Sequence, residues 1–345
     1  MSELLIITNS YDVTTDLLLD RLPEGHVFRF NFDQVGRYKI RFDQRGFCIT
    51  APDGRAVRSE TVSKAYWRKP FSAEPDLTTL GAAHQYAIAE WRYLLNEIVN
   101  LLWSDGKFVL AEPFAERRTG KLHQLLRAEG VFRVPPYEFV SNDAAVATEA
   151  VAKSLSNDPV DGKVLYTTKV DTYELDQHYP WFLQKYVPAT FDVTAVYVRG
   201  KVFAFKLHRD FLEESPDWRR YISPQQWWTP FALPADLLRA VSVYMNNLKL
   251  SFGRLDFLLD DEQRYWFCEV NPNGQFAWLD LNGENGLLQA VVNEISPSTE
   301  HHAIRHEHPL APSVRIGEPS TPTVSPPTVA VVHDCVSTSS EDLPA

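Results

Sequence analysis

The chain has 345 residues, 44% hydrophobic and 12% aromatic, with a formal net charge of −11. That length can bury two or three packed layers. The acidic balance argues against a broad nucleic-acid surface, and no nucleic-acid partner is expected, but a small polyanion held by a few local donors is compatible with it. No apolar stretch approaches a membrane span. The opening MSELLIITNS lacks a basic n-region and a long h-region and reads as a first strand. Cys48, Cys268 and Cys335 show no metal-ligand spacing, so a cytoplasmic setting without a membrane is expected.

In chain order, Leu4–Thr8 predicts a buried strand, and Asp12 or Thr14 caps a short helix running to Asp20. His26–Phe32 is a second strand. Ile40–Phe42 and Gly46–Ala51 read as a hairpin, with a turn at Asp53–Gly54. Lys64–Trp67 is a strand ending in YWRKPF. Apolar residues at helical spacing (Ile88, Trp91, Leu95, Ile98, Leu102) predict a long helix over Ala82–Trp103. Phe108–Leu110 is a short strand and Arg118–Glu129 a basic helix. Pro135–Pro136 marks a connection.

Strands dominate from there: Tyr137–Val140, Val151–Leu155, Val164–Lys169, Trp181–Val187, Val193–Val198 and Val202–Leu207. A helix at Leu237–Asn247 leads into GRLDFLLDDEQRYWFCEVNPNGQF, and Gly286–Ile295 is a closing helix. Residues 311–345 are rich in Pro, Ser, Thr and Val without a packing period, and are expected to be a disordered tail. HHAIRHEH, residues 301–308, reads as a solvated linker rather than a metal site. The class is α/β (α+β), and no internal repeat is evident.

The stretch from residue 253 to 276 carries the chemistry. Two apolar runs, Leu255–Leu259 and Tyr265–Val270, flank a polar patch, which is a hairpin pattern. With the turn centred on Asp261–Glu262, Asp256 falls opposite Phe267, and simple alternation puts Glu269 and Asn271 on the same face. Asp256 and Glu269 are then diagonal neighbours, roughly 7–8 Å apart at the backbone. Two carboxylates and an amide oxygen are hard ligands suited to Mg²⁺, which takes one or two protein carboxylates and completes its octahedron with water and phosphate. An acidic surface hairpin with an Asn-Pro turn is the simpler alternative.

Asp, a spacer, then Glu-x-Asn-Pro-x-Gly on the next strand resembles the metal-binding end of ATP-grasp ligases. The string FCEVNPNGQFAWLD is similar to one branch, the microviridin (graspetide) ligases that macrocyclise ribosomal peptides. The resemblance covers about residues 1–295. It implies a pre-ATP-grasp α/β domain at 1–115, a central lid at 116–190, an ATP-grasp core at 191–298 and a tail at 299–345. It implies Asp256, Glu269 and Asn271 as metal ligands, and Lys121 (in RRTGKLHQLL) and Lys153 (in AVAKSLS) over the phosphates of ATP. Only DAAVATEAVAK lies between Asn142 and Lys153, where the family usually has a helix, a turn and a strand. Either that helix is trimmed to two turns, leaving Lys153 on a strand, or Lys153 still belongs to the helix.

Ser154–Gly162 resembles the loop that closes over the triphosphate, and no GxxxxGK[ST] occurs. Gln184, Lys185 and Val187 in FLQKYV are the candidates for the adenine edge, and Asp192 in TFDVT completes the nucleotide set. Related ligases often have Arg where Thr194 stands, so Lys206, His208 or Arg209 would have to supply that charge. Asp217-Trp218-Arg219 is similar to the DWR string of the peptide-ligase branch. It implies Arg219, with Asp217, as the catalytic pair contacting the γ-phosphate or the carboxylate being activated.

The implied activity uses Mg²⁺ and ATP to activate a side-chain carboxylate as an acyl-phosphate. A hydroxyl or amine of the same ribosomal precursor peptide, leader plus core, then closes an ω-ester or ω-amide. Members of this branch are typically homodimers, which makes a homodimer an expectation. The alternatives are a ligase adding a free amino acid, as glutamate ligases and glutathione synthetases do, and a non-catalytic peptide-binding module. YWRKPF and DWR favour the cycliser.

Overall fold

The computed structural model describes residues 3–143, 149–156, 166–170, 175–176, 178–210, 216–220 and 227–297. The tail, the histidine-rich linker, Cys335, most of the expected triphosphate loop and the start of the Val164–Lys169 strand lie outside the described residues.

The first third runs β1 (Glu3–Thr8), α1 (Val13–Leu19), β2 (Val27–Asn31), β3 (Lys39–Asp43), β4 (Gly46–Thr50), β5 (Ala56–Arg58), β6 (Val62–Trp67) and α2 (His84–Ser104). Strands β2-β1-β6 form a parallel sheet, and β3-β4-β5 a small antiparallel one. β1 is buried on both faces, as the unbroken LLII predicts for a parallel strand. Leu5 and Ile7 pack with Ile98 and Leu102 of α2, while Leu4 and Ile6 join a second core. The helix expected from Ala82 starts at His84, because Gly81, at φ 56° and ψ −129°, interrupts the pattern. Phe108–Leu110 is not a strand. It makes a single bridge, Ala65 to Phe108, and Leu110 turns left-handed at φ 59°.

The single basic helix expected over Arg118–Glu129 is two: α3 (Ala115–Arg118) and α4 (Lys121–Ala128). Gly120, extended at ψ 150°, separates them and caps α4, so Lys121 opens a helix instead of lying within one. A four-stranded antiparallel sheet follows, in the order β7 (Tyr137–Val140), β10 (Trp181–Lys185), β8 (Ala150–Lys153) and β9 (Thr168–Val170). Lys153 thus ends a strand, opposite Phe182.

The last sheet has five antiparallel strands, β13-β12-β11-β14-β15. These are β11 (Phe191–Val198), β12 (Lys201–His208), β13 (Thr229–Phe231), β14 (Phe252–Leu259) and β15 (Tyr265–Asn271), with α5 (Ala235–Asn247) before the final hairpin and α6 (Leu287–Ile295) after it. One face packs Val193, Leu255, Phe257 and Phe267 against Leu125 of α4 and Tyr244 and Met245 of α5. The other face packs Val196, Val198 and Phe252 with β1 and α6. Further along that second face the side chains become polar: Asp192, Thr194, Arg254 and Asp256. The site is built there.

Candidate functional site

The metal-type residues converge, by a route that alternation did not predict. β14 and β15 pair Phe257 with Phe267, then Asp256 with Glu269 and Arg254 with Asn271, with a register shift between Phe257 and Asp256. Cys268 is the extra residue, a β-bulge. Phe267 faces the α4–α5 core, and in unbroken register Glu269 would face that core too. The bulge reverses the alternation for everything after it. Asp256 therefore sits directly across from Glu269, not diagonal to it as the uninterrupted pattern predicts. Asn271 Nδ2 bridges them, 3.0 Å from Glu269 Oε1 and 3.5 Å from Asp256 Oδ2. Rotating that amide presents its oxygen instead.

Thr194 Oγ1 donates to Asp256 Oδ1 at 2.8 Å, and Arg254 Nη2 lies 3.0 Å from Asp256 Oδ2. Burial alone would raise the Glu269 pKa, but the Lys121 and Lys153 ammoniums outweigh it and hold the carboxyl below its ordinary value. Glu269 is thereby kept charged, as a cation ligand must be.

The loop after Asn271 is gripped by Arg68, a fully buried arginine from the end of β6. Its Nη1 donates to Asn273 O at 2.9 Å, Asn273 Oδ1 at 2.8 Å and Gly274 O at 3.2 Å, and its Nη2 to Gln275 Oε1. Asp12 lies 3.7 Å from its Nε and accepts from Thr8 Oγ1 at 3.0 Å. A Cβ on Gly274 would come within 2.9 Å of Arg254 Cβ and 3.1 Å of Asn271 Cβ. Only glycine lets the loop fold back this closely.

Across a cavity of about 700 Å³, Lys121, Lys153, Gln184, Lys185 and Val187 line the side formed by α4 and the four-stranded sheet. Lys153 Nζ donates to Gln184 Oε1 at 2.7 Å, and Lys121 Nζ donates to Ser154 O. Burial lowers the Lys121 pKa, and Glu269 opposes the shift. Gln184 is 2% exposed and its Nε2 has no hydrogen-bond partner among the described residues. Arg254 Nε, on the opposite wall, is likewise buried and unpartnered among them.

Asp192 is held by Arg209 Nη1 at 2.7 and 2.8 Å. Burial pushes its pKa up to about 7 against the pull of that guanidinium. Arg209 is therefore committed to Asp192. Lys206 pairs with Val193 on the opposite sheet face and sits over the rings of Phe191 and Phe231, at 4.7 and 4.8 Å. His208 lies against Phe191 with ring centroids 4.7 Å apart. Arg254, which the sequence reading did not single out, bonds the same carboxylate as Thr194: its Nη2 and Thr194 Oγ1 both donate to Asp256.

Asp217 and Arg219 form a pair at the same cavity. Arg219 Nε donates to Asp217 Oδ1 at 2.8 Å, and Asp217 Oδ2 accepts from Thr167 N at 2.9 Å. Burial would raise the Asp217 pKa, but Arg219 lowers it. Trp218, Trp228 and Trp278 pack with one another close by, at 5.5–5.7 Å between ring centroids.

The donor set fits Mg²⁺ with a nucleotide. Among the described residues no cluster of three or more His, Cys, Asp or Glu could hold a metal. Asp256 and Glu269 therefore suit a cation that keeps water and phosphate oxygens, not one enclosed by protein ligands. The orphaned donors on both walls suit an acceptor-rich ligand. Arg68 and Arg254 are the residues of this arrangement that the sequence reading passed over. YWRKPF was visible as a string, but nothing local shows that Arg68 reaches residues 205 and 206 positions away.

No family model and no curated protein matches the chain. Solved structures do match. A Chryseobacterium gregarium RiPP-associated ATP-grasp ligase, in complex with ADP and a leader and core peptide, is 23% identical, covers 85% of this chain and 96% of its own, and has a TM-score of 0.73. The macrocyclase MdnC from Microcystis aeruginosa MRC, bound with precursor peptide MdnA, is 23% identical over 84% of this chain and 98% of its own, with a TM-score of 0.70. The ATP-grasp ligase PsnB, complexed with a phosphomimetic variant of a minimal precursor, Mg and ADP, is 14% identical over 86% and 99%, with a TM-score of 0.64. Similar to these structures over 84–86% of its length, this chain has the ATP-grasp fold.

Proposed function

We propose that this chain is a Mg²⁺- and ATP-dependent ligase that activates a side-chain carboxylate of a ribosomal precursor peptide and closes an intramolecular ω-ester or ω-amide. The observation that carries it is one cavity where Asp256, Glu269 and Asn271 face Lys121, Lys153 and Arg219. The peptide enters the proposal because similar folds carry leader, core or precursor peptides. Residues 116–190 act as the lid and 191–298 as the core, in the cytoplasm. Among the described residues no helix is long and apolar enough to cross a membrane.

Asp256, Glu269 and Asn271 hold the cation, which when bound offsets phosphate charge during transfer. Lys121 and Lys153 neutralise the diphosphate that leaves as ADP. Gln184, Lys185 and Val187 fix the adenine edge. Arg219, registered by Asp217, faces the phosphoryl group while the substrate carboxylate attacks the γ-phosphorus. A peptide hydroxyl or amine then adds to the acyl carbon, phosphate departs and the nucleophile's proton is lost. The protein supplies charge and position, with no covalent intermediate of its own.

Glu269→Gln and Asp256→Asn each remove cation charge but little volume. Each should lower ATP turnover by roughly two orders of magnitude or more, with the circular dichroism spectrum kept. Turnover near wild type in either variant would overturn the metal assignment. With a co-expressed precursor, mass spectrometry should show the loss of one water per ring; a free amino acid gained by the peptide would favour the amino-acid ligase.

A further inference from the structure

YWRKPF places two cations side by side, and the second has no role in the site as described. Lys69 follows the buried Arg68 in the left-handed region, at φ 46° and ψ 50°. Its backbone is pinned there: Arg68 N donates to Ile7 O at 2.8 Å, Asn9 Nδ2 donates to Lys69 O at 2.8 Å, and Pro70 follows. A non-glycine residue in this region is strained. The conformation brings the Lys69 side chain to line the cavity. Among the described residues its ammonium has no hydrogen-bond or ion-pair partner.

The cations of the cavity fall into two groups. Lys121 and Lys153 belong to the lid side, where Lys153 bonds Gln184. Lys69 and Arg254 belong to the side of the residue 273–275 loop: Arg68, next to Lys69, bonds that loop, and Arg254 Nη1 donates to Gln275 O at 3.0 Å. Glu269 is stabilised by cations of both groups, Lys121 and Lys153 on one side and Arg254 on the other, and Asp256 pairs with Arg254. A phosphoryl group transfers between a leaving oxygen and an attacking oxygen that lie roughly in line. If the lid lysines hold the leaving diphosphate, the attacking group arrives from the opposite side, where Lys69 stands.

Resting on the ligase reading above, we propose that Lys69 is the binding residue for the substrate's side-chain carboxylate, with Arg254 as the second cation of that subsite. Its ammonium takes the carboxylate as an ion pair before attack. Burial, which lowers the Lys69 pKa, makes such a pair stronger than one in open water.

The probe is N-acetyl-glutamate N-methylamide, which carries one side-chain carboxylate, titrated by NMR into the full chain with and without Mg-ADP. Inorganic phosphate is titrated separately, and Mg-AMPPNP affinity is read by calorimetry. Lys69→Met should weaken carboxylate binding roughly tenfold, the size of one lost charge-assisted hydrogen bond, with Mg-AMPPNP affinity unchanged. Lys69→Arg should retain binding. Lys69→Gly should lose it as Met does while melting no lower than wild type, because glycine relieves the left-handed backbone; this separates loss of binding from loss of fold. Unchanged carboxylate affinity in Lys69→Met, no saturable carboxylate binding by wild type, weakening confined to phosphate, or a fall in Mg-AMPPNP affinity would each overturn the assignment. Absence of Mg-AMPPNP binding in the wild type would sink the ligase reading instead, and the titration without nucleotide would still decide Lys69.

Discussion

Arg219 lines the cavity while fastened to one carboxylate, and the proposed mechanism asks it to act from that anchored position. Its Nε is fastened to Asp217, which Thr167 N holds in turn, and Nη1 is not used in that pair. A lysine keeps the charge but has a single nitrogen, so it loses the two-nitrogen fork on Asp217 and the separate Nη1 beside it. Arg219→Lys should therefore lower kcat roughly tenfold or more while the Kd for Mg-AMPPNP moves little, the signature of an interaction made mainly in the transition state. Steady-state phosphate release and calorimetry read the two numbers, and full activity would reduce Arg219 to a surface charge. The pairing of Asp217 with Arg219 was legible in the sequence because both residues sit in one tripeptide. Asp256, Glu269 and Asn271 were legible for a related reason, since their spacing on a hairpin is local. Arg254 lies in the same quoted string, but an arginine on a strand has no pattern to mark it. Its value comes from Gln275 O and Asp256, which the fold brings to it.

The element that decides the site is the bulge on β15. Alternation along a strand is the basis of any face assignment from sequence, and a single extra residue reverses it. Nothing in YWFCEVN announces that Cys268 is that residue, so reading it without a bulge put Phe267 and Glu269 on one face. Other elements escaped for similar reasons: β5 and β13 are three residues each, too short for a period, and only Gly120 hints at the break between α3 and α4. The long runs of β1, β11 and α2 were readable because many residues vote for the same face. The bulge also sets the chemistry of Cys268, whose thiol burial pushes up to about 11. At pH 8 such a thiol is on the order of 0.1% thiolate, against about a quarter for an ordinary one. Iodoacetamide should modify Cys268 about a hundredfold more slowly than a free cysteine, as peptide mapping over time can show. Rapid labelling in the native protein would mean the strand opens there or the thiol is not buried.

At the scale of the molecule, the α/β opening is structurally committed to the site. Leu4 and Ile6 share a core with Val291 and Ile295 of the last helix, and Lys64 Nζ donates to Glu294 O and Ser296 O at 2.7 Å each. Arg68 completes the link by holding the loop that follows Asn271. Arg68→Met would leave Asp12 buried without its cation, a change that costs about 3–5 kcal/mol and that urea denaturation can measure. Arg68→Lys is the sharper test. It keeps the charge, loses the fork on Asn273, Gly274 and Gln275, and should raise the Mg²⁺ concentration needed for half-maximal ATP turnover. A variant with unaltered Mg²⁺ dependence would make Arg68 a packing residue alone. The separation of 205 positions between Arg68 and Asn273 also imposes an order in time. A chain emerging from the ribosome presents its opening sheet well before the residue 273–275 loop. Until the residue 273–275 loop can fold back, Arg68 lacks the acceptors of that loop. On the ligase reading, a chain ended before residue 275 should turn over no ATP, because the loop that Arg68 grips is missing from it.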